Sequence, residues 1–234
     1  MEREIGQLEI GGLTFRVFDS ARRRRIGIFA ADDGLRICGP SGMRLADARR
    51  VVERNLPAVR KLVERRAELP PPVPAPDFAI GGTLRMFGKN CPVEAGVGHP
   101  VYENGVFKVH PVCARKEEFI KFYRRFAASY LAAKVREAAA AGGVTVAGIR
   151  IGGAAGRWGS CSSDGRLNFP WKLLLCPEEL IGYVIAHELA HRKHMDHSEA
   201  FWAEVARLCP AWRELRRRLR SEEQRLRSWS EVNG

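Results

Sequence analysis

The chain lacks any long uncharged apolar run. Its longest candidate, Ala138 to Ile149, is short and broken by glycines, well under the ~18–20 residues that a membrane-spanning helix requires, so no membrane partner is expected. No Cys-x-x-Cys pair occurs. Cys38, Cys91, Cys113, Cys161, Cys176 and Cys209 are dispersed, which suits buried reduced thiols. The opening residues, Met1-Glu2-Arg3-Glu4-Ile5, carry acids where a secretory signal has its apolar core, so a cytoplasmic location is expected. There is no legible internal repeat and no long low-complexity tract. Acids are the scarcer charge: 27 Asp and Glu stand against 39 Lys and Arg, a net +12 that favours encounter with polyanions such as nucleotides or nucleic acid without naming one.

What is present is a folded-protein composition, 45% apolar and 28% charged. Short alternating runs (Leu13 to Phe18, Arg25 to Phe29, Gly34 to Pro40) predict a small antiparallel sheet, with a hairpin turn at Asp32-Asp33-Gly34. From Arg44 to Ala67, apolar positions recur at helical spacing, giving an amphipathic helix broken or turned near Pro57. The proline-rich stretch Leu69 to Asp77 cannot continue that helix and marks a boundary. The expected organisation is residues 1–77 as an N-terminal sheet-and-helix domain and 78–234 as a second domain, in an α+β fold. In the second part, strand signals around Thr83 to Met86 and Val101 to Val109 precede a long helix from about Lys116 to Ala140, ended by Gly142-Gly143. A strand at Val144 to Ile151 follows, then a hairpin turning at Ser162 to Gly165, then a helical last sixty residues.

The chemistry concentrates on one helix. Cys176-Pro177-Glu178-Glu179 signals its start, because proline suits a first turn and acids complement the positive end of the dipole. Along it, His187 and His191 lie four residues apart, on one face and a single turn from each other, where both imidazoles can meet one metal ion. Glu188 stands beside them, placed to take a proton from water activated by the metal. With six His and twenty Glu in 234 residues, about 0.013 chance occurrences of His-Glu-x-x-His are expected, so the pattern itself argues for a metal site.

A catalytic zinc keeps three protein ligands and an open position. His197 is the favoured third ligand: it lies outside the helix, just before a second helix over Glu199 to Leu208 that Asp196 or Ser198 can cap, and so approaches from a third direction. His194, three residues after His191, is its rival. The histidine spacing equals that of the metzincins, but His194 stands where their turn glycine belongs, and no methionine follows Met195 to form a Met-turn.

Around these residues lie Arg22 to Ile28, the block Gly156-Arg157-Trp158-Gly159-Ser160-Cys161-Ser162-Ser163, Leu167-Asn168-Phe169, and His197-Ser198 with Phe201-Trp202. On these motifs the chain resembles the YgjP-like family of zinc metallopeptidases, related to the SprT and WLM groups. The resemblance implies a zincin-like second half in which a small sheet packs on the metal helix. It also implies Zn2+ at His187, His191 and His197, Glu188 as acid and base, and a peptide or protein substrate.

Read on their own, the strands flanking the hairpin offer an edge to an extended substrate. Arg157, Trp158 and Asn168 are the candidate substrate contacts, although Trp158, with Phe169 and Trp171, serves core packing equally well. Cys161 reads as structural, and Tyr183 as core. The arginines of the last helix, Arg213, Arg216, Arg217, Arg218 and Arg220, read as a solvated face before a nucleic-acid surface, and Arg22 to Arg25 as an edge kept soluble by charge. The leading expectation is metal-dependent peptide hydrolysis. Its alternatives are cleavage of a nucleotide phosphoanhydride at the same metal, or a nucleic-acid-associated protease of SprT type, recruited there by its basic surface.

Overall fold

A computed structural model describes residues 2–31, 34–67, 71–152, 156–229 and 232. The chain forms two units, Met1–Pro70 and Pro71–Gly234. In the first, strands β1 (Arg3–Ile10) and β2 (Leu13–Ser20) form a hairpin. Its two turn residues, Gly11 and Gly12, both have positive φ, 60° and 79°, the backbone of a type I′ turn that matches strand twist and that glycine adopts without penalty. Strands β3 (Gly27–Ala31) and β4 (Gly34–Pro40) add a second hairpin, whose expected turn residues Asp32 and Asp33 lie outside the described residues. The order is β1-β2-β4-β3, and β2 and β4 run parallel, so the sheet is mixed where alternation alone suggested an antiparallel one. Alternation reports which face is buried; it carries no information on which strand becomes the neighbour.

Helix α1 (Leu45–Ala67) lays Ala48, Val52 and Val59 into a core with Leu8, Ile10, Phe15, Val17 and Ile37. It runs unbroken through Pro57, where a break was expected. The missing amide removes one intrahelical bond there, and the apolar stripe on either side holds the helix together.

The second unit repeats the first topology. Strands β5 (Thr83–Met86), β6 (Lys89–Ala95), β7 (Val101–Glu103) and β8 (Val106–Val109) are ordered β5-β6-β8-β7, with the same antiparallel, parallel, antiparallel pairings, and are again followed by a helix, α2 (Lys116–Gly142). This internal repeat was invisible in the sequence because it resides in strand pairing and not in residue identity. Acids at Glu117 and Glu118 favour the start of α2, and Gly143, in the left-handed conformation at φ 64°, ends it.

A three-stranded sheet follows, ordered β10-β11-β9, from β9 (Gly148–Gly152), β10 (Ser160–Cys161) and β11 (Arg166–Pro170). Leu167 and Phe169 of β11 share one core with Leu180, Ile181, Val184, Ile185 and Leu189 of α3 (Glu178–Ala190). Buried apolar side chains surround α3 on nearly every side, which makes it a central helix of its unit and not a surface one. Helices α4 (Glu199–Leu208) and α5 (Trp212–Arg225) complete the unit. The fold is α+β, and no described helix is long and apolar enough to cross a membrane.

Candidate metal centre

Helix α3 ends at the chemistry. His187 lies in its last turn and His191 is its C-cap. Beyond it the chain turns tightly: Asp196 Oδ1 accepts from the Ser198 hydroxyl at 2.7 Å, and Ser198 Oγ in turn accepts from the Phe201 amide, capping α4. His197 is held between Asp196 and Ser198, and this turn swings it back over α3. The ligand-capable nitrogens of His187, His191 and His197 all lie within 4.8 Å of one another. His197 Nε2 faces His187 Nε2 at 3.4 Å. His194 does not join the group with its side chain; its carbonyl accepts the hydrogen bond from His191 Nδ1–H at 3.0 Å, which sets that ring's tautomer and leaves the Nε2 lone pair free to hold a metal.

This donor set fits a metal ion. Nitrogens bound to zinc at ~2.0–2.1 Å with tetrahedral angles sit about 3.4 Å apart. Three convergent lone pairs repel unless a positive charge sits among them, and one shared proton cannot serve all three. Burial, with the charges of His191, His197 and Arg216, holds His187 down to about 4, and burial also lowers His191, so both rings stay unprotonated at neutral pH.

The chain matches the family described as YgjP-like, metallopeptidase domain, across residues 24–222. It belongs to the YgjP-like family. It is therefore a metal-dependent hydrolase of the metallopeptidase kind. Among solved structures it is similar to the metallopeptidase zymogen abylysin of Pyrococcus abyssi, at 26% identity over 40% of this chain and 95% of that one, with a TM-score of 0.38. No curated protein matched the chain.

In this YgjP-like site Glu188 is 5% exposed, and burial raises its carboxyl to about 7 against the opposing pull of Arg157; a cation at the histidines pulls the same way as Arg157. Gly159 packs directly on that carboxylate. A Cβ on Gly159 would stand 2.6 Å from Glu188 Oε1 and 2.7 Å from its Cγ, so only glycine leaves Glu188 its room. Arg157 is exposed, two residues before Gly159. Trp158 is half-buried against the core. Asn168 is not brought to the histidines: its strand neighbours Leu167 and Phe169 point into the core, so it points the other way. It lines a separate cavity of about 400 Å³ with Arg150, Ser160, Ser162 and Arg166. Cys161 is not among the grouped donors, and burial pushes its thiol up. Tyr183 is buried beside His187.

Two residues known at first only through the family resemblance prove central. Phe201, fully buried, forms the floor of the site, its ring centroid 4.5 Å from that of His191, 4.7 Å from His197 and 5.0 Å from His187. Trp202 flanks His187 and His197 at 5.8 Å each. The signal available for them was position: a capped helix starting at Glu199 puts its first-turn aromatics next to whatever precedes the cap.

Proposed function

We propose that this chain is a zinc-dependent peptidase in which His187, His191 and His197 hold the ion and Glu188 is the general base and then the general acid. Bound there, zinc supplies Lewis acidity that polarises a scissile carbonyl and makes a water molecule acidic enough to attack near neutral pH. Glu188 accepts the proton of the attacking water and delivers it to the leaving amine. Burial disfavours the charged carboxylate while Arg157, and a cation at the histidines, favour it, and this opposition brings its two protonation states closer in energy, which suits a group that must accept and give a proton once per turnover. Phe201 keeps water from the far side of the imidazoles and fixes their planes. Gly159 fixes the carboxylate. Strand β10 is an edge strand of its sheet, and an extended peptide paired to it would lie beside α3. Substrate contact is assigned to that edge and to Arg157, and not to Asn168.

The observation that carries this reading is the convergence of three imidazole donors next to a buried carboxylate. Glu188→Gln tests it. The variant should bind one zinc per chain, as the wild type does, and lose at least ~10²-fold in kcat on a quenched peptide library. Retained turnover in a zinc-loaded Glu188→Gln protein would remove Glu188 from its role. His197→Ala should lose the zinc itself.

A further inference from the structure

Helix α5 reads in sequence as a basic, solvated face, yet its arginines are not equivalent. Arg217 pairs with Glu214, Arg218 with Glu179 at 2.5 Å, and Arg225 with Glu222 at 2.9 Å. Arg213 and Arg216 instead cap a stack. Trp202 and Trp212 lie face to face, centroids 4.5 Å apart and planes 18° from parallel. Arg213 sits over Trp212 at 4.7 Å, and Arg216 over Trp202 at 4.5 Å. The same Trp202 ring is 5.8 Å from both His187 and His197. Arg216 is thus held one aromatic ring away from the imidazoles, half-buried, with its fork free to bond at the edge of the site. On the strand side, Arg157 precedes the glycine that packs on Glu188. Neither Arg157 nor Arg216 forms a salt bridge among the described residues; Arg157 acts on the Glu188 carboxylate only at longer range.

Two unpaired guanidiniums beside a site built for a cation raise the cost of binding that cation. Stacking on Trp202 engages a face of the Arg216 guanidinium and not its N–H edge, so its donors stay available. A guanidinium held by stacking is preorganised to take a carboxylate in two parallel hydrogen bonds, and it loses little entropy in doing so. We infer that this site selects peptides carrying a carboxylate close to the scissile bond, read by Arg216 with Arg157 as the second positive group. The inference rests on the peptidase reading above. The carboxylate comes either from an Asp or Glu side chain next to the scissile bond or from the C-terminus of the peptide itself.

Quenched peptides in matched pairs separate the two sources: Asp or Glu against Asn or Gln in the flanking positions, and free acid against C-terminal amide. The wild-type zinc enzyme should prefer one carboxylate member by about tenfold in kcat/KM at low salt, and the preference should shrink in ~0.5 M salt as the charges are screened. Arg216→Gln should bring the ratio close to one with zinc content unchanged, and Arg216→Lys should keep part of it. A wild-type ratio near one, or a ratio that Arg216→Gln leaves intact, overturns the inference, as does a phosphopeptide that outcompetes the carboxylate peptides. If no peptide is cleaved, fluorescence anisotropy of the same labelled peptides on zinc-loaded Glu188→Gln decides. Carboxylate-dependent binding that Arg216→Gln abolishes sustains carboxylate recognition by Arg216 even where cleavage, and with it the peptidase reading, fails, and binding indifferent to the carboxylate sinks the inference.

Discussion

Gly159→Ala is the smallest change that separates the metal from the base. The added methyl would stand 2.6, 2.7 and 2.9 Å from Oε1, Cγ and Cδ of Glu188, whereas ordinary contacts begin near 3.4 Å. Three atoms of the side chain are affected, Cγ among them, so rotating the carboxylate tip does not relieve the overlap. Helix α3 is buried around most of its circumference and has no slack to retreat. The carboxylate must therefore move by roughly 1 Å, and a misplacement of that size costs on the order of 10²-fold in rate, about 2.7 kcal/mol in the barrier. The expected result is a fall in kcat with KM little changed, the signature of an interaction made in the transition state. Zinc content, measured by plasma emission, should match the wild type because the three atoms nearest the methyl all belong to Glu188 and none to a histidine. Gly182→Ala is the control. It makes the same substitution within α3, at an exposed position where a Cβ meets nothing within 4 Å, and it should leave kcat unchanged while raising stability by up to ~1 kcal/mol through helix propensity. Full activity in a zinc-loaded Gly159→Ala protein would refute the assignment of this glycine and weaken that of Glu188.

Two further predictions concern the frame of the second unit. Arg207 holds Glu204 down to about 2, with Lys193 assisting, against an ordinary value of 4.5. A carboxyl depressed on folding contributes stability that is present above about pH 5 and lost as pH falls from there toward 2. Because both cationic partners are nearly half exposed, the contribution is ~1–2 kcal/mol. Glu204→Gln should cost that much in urea unfolding of the metal-free chain at pH 7, roughly half or less of it at pH 3 and little near pH 2, and a loss independent of pH would refute the linkage. Arg85 and Glu222, 3% and 5% exposed, form a buried ion pair that joins β5 to α5. Arg85→Met strips Glu222 of that partner but leaves Arg225, so thermal or urea unfolding should show a loss near the lower end of the usual range, about 3 kcal/mol. Arg85→Met combined with Glu222→Leu should recover most of it, and a double variant as unstable as the sum of its parts would show that the two charges do not act as a pair.

The sequence exposed the donors more readily than their surroundings, and the reason is energetic. His187 and Glu188 sit in a helix otherwise composed almost wholly of apolar residues, where a polar side chain is costly unless it has a use, so their spacing stands out from its background. His197 was legible for a local reason as well: Ser198 lies three residues before Phe201, the spacing of a cap, and a cap fixes where the chain turns. The same applies to Gly143, whose left-handed backbone ends α2. Strand pairing lacked any such local signature. Nothing between Ser20 and Gly34 reveals that β4 pairs parallel to β2, or that β5 to β8 repeat the arrangement, because register and neighbour choice depend on contacts far apart in sequence.

The arginines show the converse. In α5 a charged residue costs nothing to leave in solvent, so composition cannot distinguish Arg216, stacked on Trp202 beside the imidazoles, from Arg217, paired with Glu214 one residue on. Both look like members of one basic face. What separates them is whether the angular position of each on the helix meets an aromatic ring of α4 or a neighbouring acid, and that follows from how α4 and α5 pack through Trp202 and Trp212. A +12 chain therefore need not imply a polyanion as partner. Of the five arginines first read as one basic surface, two are committed to tryptophan rings and two to glutamates, and the charge at Arg216 is best understood at the scale of a single carboxylate.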